Sequence, residues 1–139
     1  MISEIEYYDQ LHSIDEAIVK TKNLKIVENC INLNKPYTTY AMDYAAANGL
    51  YDIVKLLQEN YIYGTKWCIN WAAEKGYIEI VKYLYECGYT YTRYALIYAT
   101  RNGYKDIVNC LCNNRKRKME INSISNKRVR FEIENKFYY

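Results

Sequence analysis

Residues 45–57 of the chain read AAANGLYDIVKLL, and this stretch returns twice with limited changes. It recurs as AAEKGYIEIVKYL at residues 72–84 and as ATRNGYKDIVNCL at residues 99–111. The glycines of the three copies, Gly49, Gly76 and Gly103, follow one another at intervals of 27 residues. A fixed period of about 20 to 50 residues is typical of stacked repeat proteins. The sequence therefore predicts a stack of similar units.

Each copy has the pattern of a helix, a tight turn and a second helix. The first helix carries an apolar stripe at positions i, i+3 and i+4, and the second helix carries another. The stripe of the first helix is Met42, Ala45 and Ala46, then Ile69, Ala72 and Ala73, then Leu96, Ala99 and Thr100. The second stripe begins with Ile53, Val54 and Leu57. One helix pair cannot bury both stripes, so about three or more repeats must stack to form a core. We therefore predict an all-α helix-turn-helix solenoid.

Three polar or small positions recur with the same period and define the helix ends. The glycine is expected to end the first helix with a positive φ. An acidic residue is expected in the first turn of the second helix, where it suits the helix dipole. A threonine is the candidate N-cap of each first helix. These positions are Asp52, Glu79 and Asp106 for the acid, and Thr38, Thr65 and Thr92 for the threonine.

The repeats are predicted to occupy most of the chain. A degenerate copy precedes the three clear ones, with Lys22 in place of the glycine, and Asn23 beside it is expected to take the left-handed conformation. The predicted division is an N-terminal helical cap at 1–11, the degenerate repeat at 12–38, clear repeats at 39–65, 66–92 and 93–114, and a C-terminal tail at 115–139.

The charge of the chain is divided between the repeats and the tail. Residues 1–112 hold 11 Lys and Arg against 13 Asp and Glu, whereas residues 113–139 hold 8 against 3. The basic run Arg115, Lys116, Arg117 and Lys118 opens the tail. Such a cluster can act as a nuclear-import signal or contact nucleic acid; it also suits the negative end of a last helix, or a solvated tail without function. Residues 129–134 alternate apolar and polar side chains, which fits a short strand or a segment that orders only on binding.

Composition narrows the class of protein. No run of 18 apolar residues occurs, and the acidic N-terminus has no apolar core of a secretory signal, so we expect an intracellular protein. Five cysteines without a C-x-x-C motif indicate reduced thiols and no zinc site. His12 is the single histidine, and no catalytic triad, phosphate loop or dinucleotide motif is present. We therefore predict no catalytic site, no cofactor, no metal and no membrane association.

The pattern Ala-Ala-x-x-Gly-x-x-(Asp/Glu)-Ile-Val-Lys-x-Leu resembles the ankyrin repeat. It is similar to the short ankyrin-type repeats of large DNA viruses of amoebae, the mimivirus kind. The usual ankyrin unit has about 33 residues, and the present unit of 27 lacks the residues of the β-hairpin between repeats. The Thr-Pro-Leu-His opening is also absent, and Asp43, Asn70 and Ile97 stand where its histidine would be. The resemblance thus implies an ankyrin-like stack with shortened or missing hairpins.

Aromatic side chains form two columns on the predicted first helices. One column is Tyr40, Trp67 and Tyr94; the other, four residues later and so on the same helix face, is Tyr44, Trp71 and Tyr98. Ankyrin geometry would place the second column on the concave side, and we predict that it binds a protein partner, as aromatic hot spots do. The alternative is that both columns fill the space left by the shortened hairpins. The predicted partner-binding residues are Tyr44, Trp71, Tyr98, Asn48, Lys75, Arg101 and Asn102.

The function indicated by these features is protein–protein interaction on a rigid repeat scaffold, and the family resemblance implies a viral protein that binds host proteins. One alternative is a nuclear or nucleic-acid-associated factor that acts through its basic tail. Another is a truncated member of a multiplied repeat family without a function of its own.

Overall fold

The computed structural model describes residues 10–113 and residue 123 of the 139-residue chain. The described residues form helices and contain no strand. The helices are α1 (Ile14–Thr21), α2 (Leu24–Asn32), α3 (Thr39–Ala47), α4 (Tyr51–Glu59), α5 (Trp67–Lys75), α6 (Ile78–Glu86), α7 (Arg93–Arg101) and α8 (105–113). Residues 1–9 of the predicted cap at 1–11 lie outside the described residues, as do the basic run 115–118 and the predicted strand or binding-ordered segment at 129–134.

The helices are arranged in two layers, as the repeated pattern predicts. Helices α1, α3, α5 and α7 pack in sequence against one another, and α2, α4 and α6 do the same in the second layer. Each odd-numbered helix from α1 to α5 also packs against the helix that follows it. The described chain is therefore an all-α solenoid of the ankyrin type, and the connections between helix pairs are loops rather than β-hairpins.

The core is built from the two predicted stripes. Met42 of α3, Ile69 of α5, and Val54 and Leu57 of α4 are fully buried. The alanines of the first helices are buried too, which lets neighbouring helices approach closely. The stripe is less complete in the last repeat, where Leu96 and Val108 are half-buried and Thr100 is exposed. The prediction that Thr100 lies in the core is wrong.

The turn between the two helices of each clear repeat depends on a glycine. Gly49, Gly76 and Gly103 have φ values of 73°, 86° and 80°, a region that favours glycine over residues with a Cβ. The next repeat packs directly onto two of them. A Cβ added at Gly49 would lie 2.7 Å from Cε1 of Tyr77, and one added at Gly76 would lie 2.8 Å from Cε1 of Tyr104.

The degenerate repeat makes the same turn with different residues. Lys22 itself has a left-handed backbone, with φ of 50° and ψ of 24°. The expectation that Asn23 would take this conformation is wrong, because Asn23 is extended and caps α2. Its Oδ1 accepts hydrogen bonds from the backbone N–H groups of Lys25 and Ile26, at 3.0 and 3.3 Å. The Asn23 side chain therefore caps α2. Lys22, which stands at the position of the repeat glycine, takes the left-handed backbone conformation in its place.

Thr38 and Thr92 are the N-cap residues of α3 and α7, as predicted, whereas the N-cap residue of α5 is Lys66, one position after Thr65. The hydroxyl oxygens of Thr38, Thr65 and Thr92 each accept a hydrogen bond from the backbone N–H two residues later, at 3.2, 3.1 and 3.3 Å. Such bonds satisfy one of the amides that a helix N-terminus leaves without a partner.

Each of these threonines is also held by the preceding repeat. Asp15 binds Thr38, Asp43 binds Thr65, and Asn70 binds Thr92, in each case through the threonine's backbone N–H and its hydroxyl. Asp43 and Asn70 are buried. These pairs tie each odd-numbered helix to the start of the next. Ile97, the corresponding residue of α7, cannot make such bonds and is 56% exposed.

Candidate functional site

The two aromatic columns lie side by side on α3, α5 and α7. Each helix supplies two rings four residues apart, which places both on one face. We call this surface the aromatic band; its residues are Tyr40, Tyr44, Trp67, Trp71, Tyr94 and Tyr98.

The rings of each repeat contact one another. The ring centroids of Tyr40 and Tyr44 are 5.5 Å apart, and the planes are tilted by 47°. Trp67 and Trp71 are stacked, with centroids 5.7 Å apart. Tyr94 and Tyr98 are stacked more closely, at 4.1 Å. Aromatic pairs at such separations stabilise one another by about 0.5–1.5 kcal/mol beyond the burial of their surface.

Contacts between repeats join the rings into one surface. Trp67 meets Tyr94 edge-to-face, with the centroids 5.5 Å apart. Tyr40, Tyr44 and Trp71 line a shallow cavity of about 330 Å³ between α3 and α5, together with Glu74 and Lys75. The band is therefore continuous from α5 to α7 and has a recess at its α3 end.

The exposure of these rings bears on the two interpretations of the columns. Tyr40 is 47% exposed and Trp67 is 38% exposed, so these rings do not fill an internal gap. Tyr44, Trp71, Tyr94 and Tyr98 are half-buried, and Tyr44 packs partly against the core. Neither tryptophan is enclosed between repeats. Full enclosure of both would have excluded a binding role for the column of Tyr44.

Polar groups at one edge of the band hold its repeats together. The Tyr94 hydroxyl donates a hydrogen bond of 2.9 Å to Oε2 of Glu74. This bond to a carboxylate raises the pKa of Tyr94 to about 12, and desolvation adds to the effect. Asn102 Nδ2 donates to the Glu74 carbonyl oxygen at 2.8 Å. Glu74 thus connects α5 with α7 at two points.

The predicted partner-binding residues differ in how freely they face solvent. Lys75, Arg101 and Asn102 are exposed, although the amide of Asn102 already binds Glu74. Asn48 is half-buried, and its Nδ2 donates to the Tyr44 carbonyl oxygen at 2.9 Å. Sequence patterns alone did not assign Tyr40 and Trp67 to the surface. The signal for them was the i, i+4 spacing, which joins each to a ring of the other column.

The described residues contain no group of three or more side chains that could hold a metal ion. Asp52 and Glu79 lie in the first turns of α4 and α6, where they complement the helix dipole, and both are exposed. His12 is exposed and binds neighbouring groups of α1 and its N-terminal turn. Within the described part of the chain, no helix has the length and apolar composition needed to cross a membrane.

Comparison with known proteins supports the ankyrin resemblance. The family model described as ankyrin repeats (3 copies) matches residues 58–125. No curated protein and no solved structure matches the chain.

Proposed function

Because the chain carries ankyrin repeats, we propose that it is a protein-interaction module whose aromatic band binds a partner. Ankyrin repeats typically serve as scaffolds for binding other proteins. The scaffold here is a two-layered stack whose first helices display the band on a shared face. The proposed partner-binding surface comprises Tyr44, Trp71 and Tyr98, extended by the column of Tyr40.

The observation that carries this proposal is the partial exposure of large rings on three neighbouring helices. Trp67, for example, keeps 38% of its surface exposed although it contacts both Trp71 and Tyr94. Tryptophan and tyrosine are enriched among the residues that contribute most to protein binding, because they bury large areas with few rotatable bonds. Lys75 and Arg101 at the edge of the band would orient the partner.

Affinity capture with matched variants tests the proposal. The wild-type protein, Trp71→Ala and Tyr61→Ala are each immobilised, and the proteins retained from a cell extract are compared. Tyr61 is the control because it is 75% exposed and lies in a loop away from the band. We expect one partner to be retained by wild type and Tyr61→Ala and lost by Trp71→Ala, with circular dichroism confirming that all three are folded. Retention of the same partner by Trp71→Ala would contradict the proposal.

The finer identity that we propose is a viral protein that acts on host proteins inside the cell. Its support is the similarity of the 27-residue unit to the short repeats of large amoebal viruses. The free thiols of Cys30, Cys68, Cys87 and Cys112 agree with an intracellular compartment. We propose no catalytic role, since the repeated acids Asp52 and Glu79 serve helix ends. Capture from an amoebal extract, with a mammalian extract as comparison, tests the choice of host.

The second candidate is a nuclear or nucleic-acid-associated factor directed by the basic run Arg115–Lys118. This run and the positive charge of residues 113–139 favour it. Charge reversal of the four residues should then release the protein from RNA or DNA and change its location in the cell. Affinity for nucleic acid should also fall steeply with salt concentration. If the charge-reversed protein keeps its location and its retention on RNA or DNA, this role is excluded. If the chain also captures no protein, the alternative of a truncated repeat-family member without a function of its own is left.

A further inference from the structure

The charges of the described repeats are divided between the two helix layers. Around α5 and α7, two of the three helices that bear the aromatic band, four cationic side chains are exposed. The four are Lys66, immediately before α5, Lys75, at its end, and Arg93 and Arg101, the first and last residues of α7. No ion pair within the described residues involves any of them.

The acids of the same layer do not neutralise these cations. Asp43 is buried and accepts two hydrogen bonds from Thr65. Glu74 is half-buried and accepts the hydrogen bond of the Tyr94 hydroxyl. The exposed acids instead lie on the second layer, at Asp52, Glu59, Glu79 and Glu86 of α4 and α6. Lys55 and Lys82 offset two of these four acids, so α4 and α6 are negative on balance, whereas the face of the aromatic band on α5 and α7 is positive.

The cations lie along the two edges of the band. Lys66 and Arg93 stand at the N-terminal ends of their helices, and Lys75 and Arg101 stand at the C-terminal ends. A nine-residue helix is about 13 Å long, so the rings of α5 and α7 lie between two pairs of positive charges separated by about that distance. This width suits a single extended chain with carboxylates on both sides.

The spacing of the repeats also suits an extended chain. Helices that pack directly, as α3, α5 and α7 do, typically have axes about 8–10 Å apart. An extended segment advances about 3.1–3.4 Å per residue, so three residues cover about one repeat. Side chains at every third position of such a segment would meet successive ring pairs. The recess of about 330 Å³ between Tyr44 and Trp71 has room for one apolar side chain.

We propose that the aromatic band binds an extended acidic segment of a partner protein, with an apolar side chain at every third position and carboxylates between. This inference rests on the proposed function and specifies the partner's chemistry. The apolar side chains pack on the rings, and the carboxylates pair with Lys75 and Arg101 at one edge and with Lys66 and Arg93 at the other.

A nucleic acid fits this face less well. Nucleic-acid binding draws much of its affinity from contacts between cations and phosphates, and this face offers four cations over two repeats. The carboxylate of Glu74 also lies within the band, where it would repel a phosphate backbone. Single-stranded RNA is therefore the alternative that the experiment must separate from an acidic peptide.

The test is a binding titration with synthetic probes on the full chain. The first probe is a nine-residue peptide with leucine at every third position and glutamate at the two positions between, so that carboxylates face both edges. The second has the same composition with its leucines contiguous, the third has lysine in place of glutamate, and the fourth is an oligouridine RNA. Both tryptophans of the chain lie in the band, so intrinsic fluorescence reports binding there. We expect only the first probe to bind well, and its affinity to fall as salt rises.

Matched charge reversals locate the binding face. Lys75→Glu and Arg101→Glu should each weaken the first probe by about fivefold at low salt. Lys82→Glu on α6 and Lys105→Glu at the start of α8 should leave it unchanged, since these lysines belong to the second layer. Peptide anisotropy measures all four variants, so that no change in tryptophan emission confuses the result.

Three results would overturn the inference: equal binding of the contiguous peptide, tighter binding of the lysine peptide or RNA, or no effect of Lys75→Glu and Arg101→Glu. If the first probe fails while Trp71→Ala still abolishes capture of a partner protein, only the partner chemistry is wrong. If capture is also independent of Trp71, both this inference and the proposed function are wrong.

Discussion

Asp43 of α3 accepts two hydrogen bonds from Thr65, one from its backbone N–H and one from its hydroxyl, both of 2.8 Å. Thr65 in turn accepts a bond from the N–H of Trp67, so a buried carboxylate is linked to the beginning of α5. Asn70 and Thr92 repeat the arrangement one unit later. These pairs fix where each new repeat begins on the one before it, and they therefore position the aromatic band.

Removing the carboxylate of Asp43 should destabilise the stack more than converting it to an amide. Asp43→Ala should lower the free energy of unfolding by about 3 kcal/mol, because the backbone N–H and hydroxyl of half-buried Thr65 both lose their partner. Asp43→Asn should cost about 1 kcal/mol, because Asn70 shows that an amide can make both bonds. Urea unfolding measures both. Asp52→Ala, at an exposed position, is the control, and equal losses for the two Asp43 variants would contradict the prediction.

Alanine should be tolerated differently at three glycines that share a positive φ. Gly103→Ala should cost about 1 kcal/mol of backbone strain, since no described atom lies within 4 Å of the added Cβ. Gly49→Ala and Gly76→Ala should cost about 2–4 kcal/mol, because the Cβ also meets the ring of Tyr77 or Tyr104. Urea denaturation again provides the measurement.

A double variant provides the control for this prediction. Tyr104→Ala removes the ring that opposes Gly76, so adding it to Gly76→Ala should cost less than the sum of the two single losses. Additive losses, or three glycine variants of equal stability, would show that the contact between repeats is unimportant.

Buried and exposed cysteine thiols should react with an alkylating reagent at different rates. Cys30 and Cys68 are fully buried, and burial raises the pKa of both, for Cys68 to about 12 with the charge of Asp43 contributing. Cys87 and Cys112 are exposed. Because the thiolate is the reactive form, alkylation of the first pair at pH 8 should be at least about a hundredfold slower. Mass spectrometry of alkylated peptides gives the rates. Concentrated urea should remove the difference, and rapid native labelling of Cys68 would contradict the packing.

The hydrogen bond from Tyr94 to Glu74 should contribute to the free energy of unfolding, and alkaline pH should remove this contribution. The folded state favours the neutral phenol and raises the pKa of Tyr94 from its ordinary value near 10 to about 12. The contribution is therefore complete below about pH 10 and disappears as the pH rises through about 12. Tyr94→Phe should have a lower urea midpoint than wild type at pH 8, and the difference should shrink above pH 10. Tyr61→Phe should match wild type throughout, whereas a constant difference for Tyr94→Phe would refute the assignment.

The repeated pattern predicted the helices, their core stripes and the conformation of the glycines. This was possible because helical spacing, N-caps and positive-φ turns depend on residues within about one helix of each other. Ile53, Val54 and Gly76 could thus be placed from neighbouring residues alone. The conformation of Asn23 was predicted wrongly because asparagine suits both a helix N-cap and a left-handed turn. Where α1 ends and α2 begins determines which of the two roles Asn23 takes.

Tertiary structure alone decided what lies between the repeats. The pairing of Asp43 with Thr65 spans 22 residues, and the contact of Tyr77 with Gly49 spans 28, so neither has a local signal. The exposure of Tyr40 and Trp67 likewise depends on how closely α3, α5 and α7 approach. A periodic sequence specifies the unit, because the unit is held by bonds within a few residues. The surface that a partner can reach exists only once the units have stacked, because neighbouring units determine which rings remain exposed.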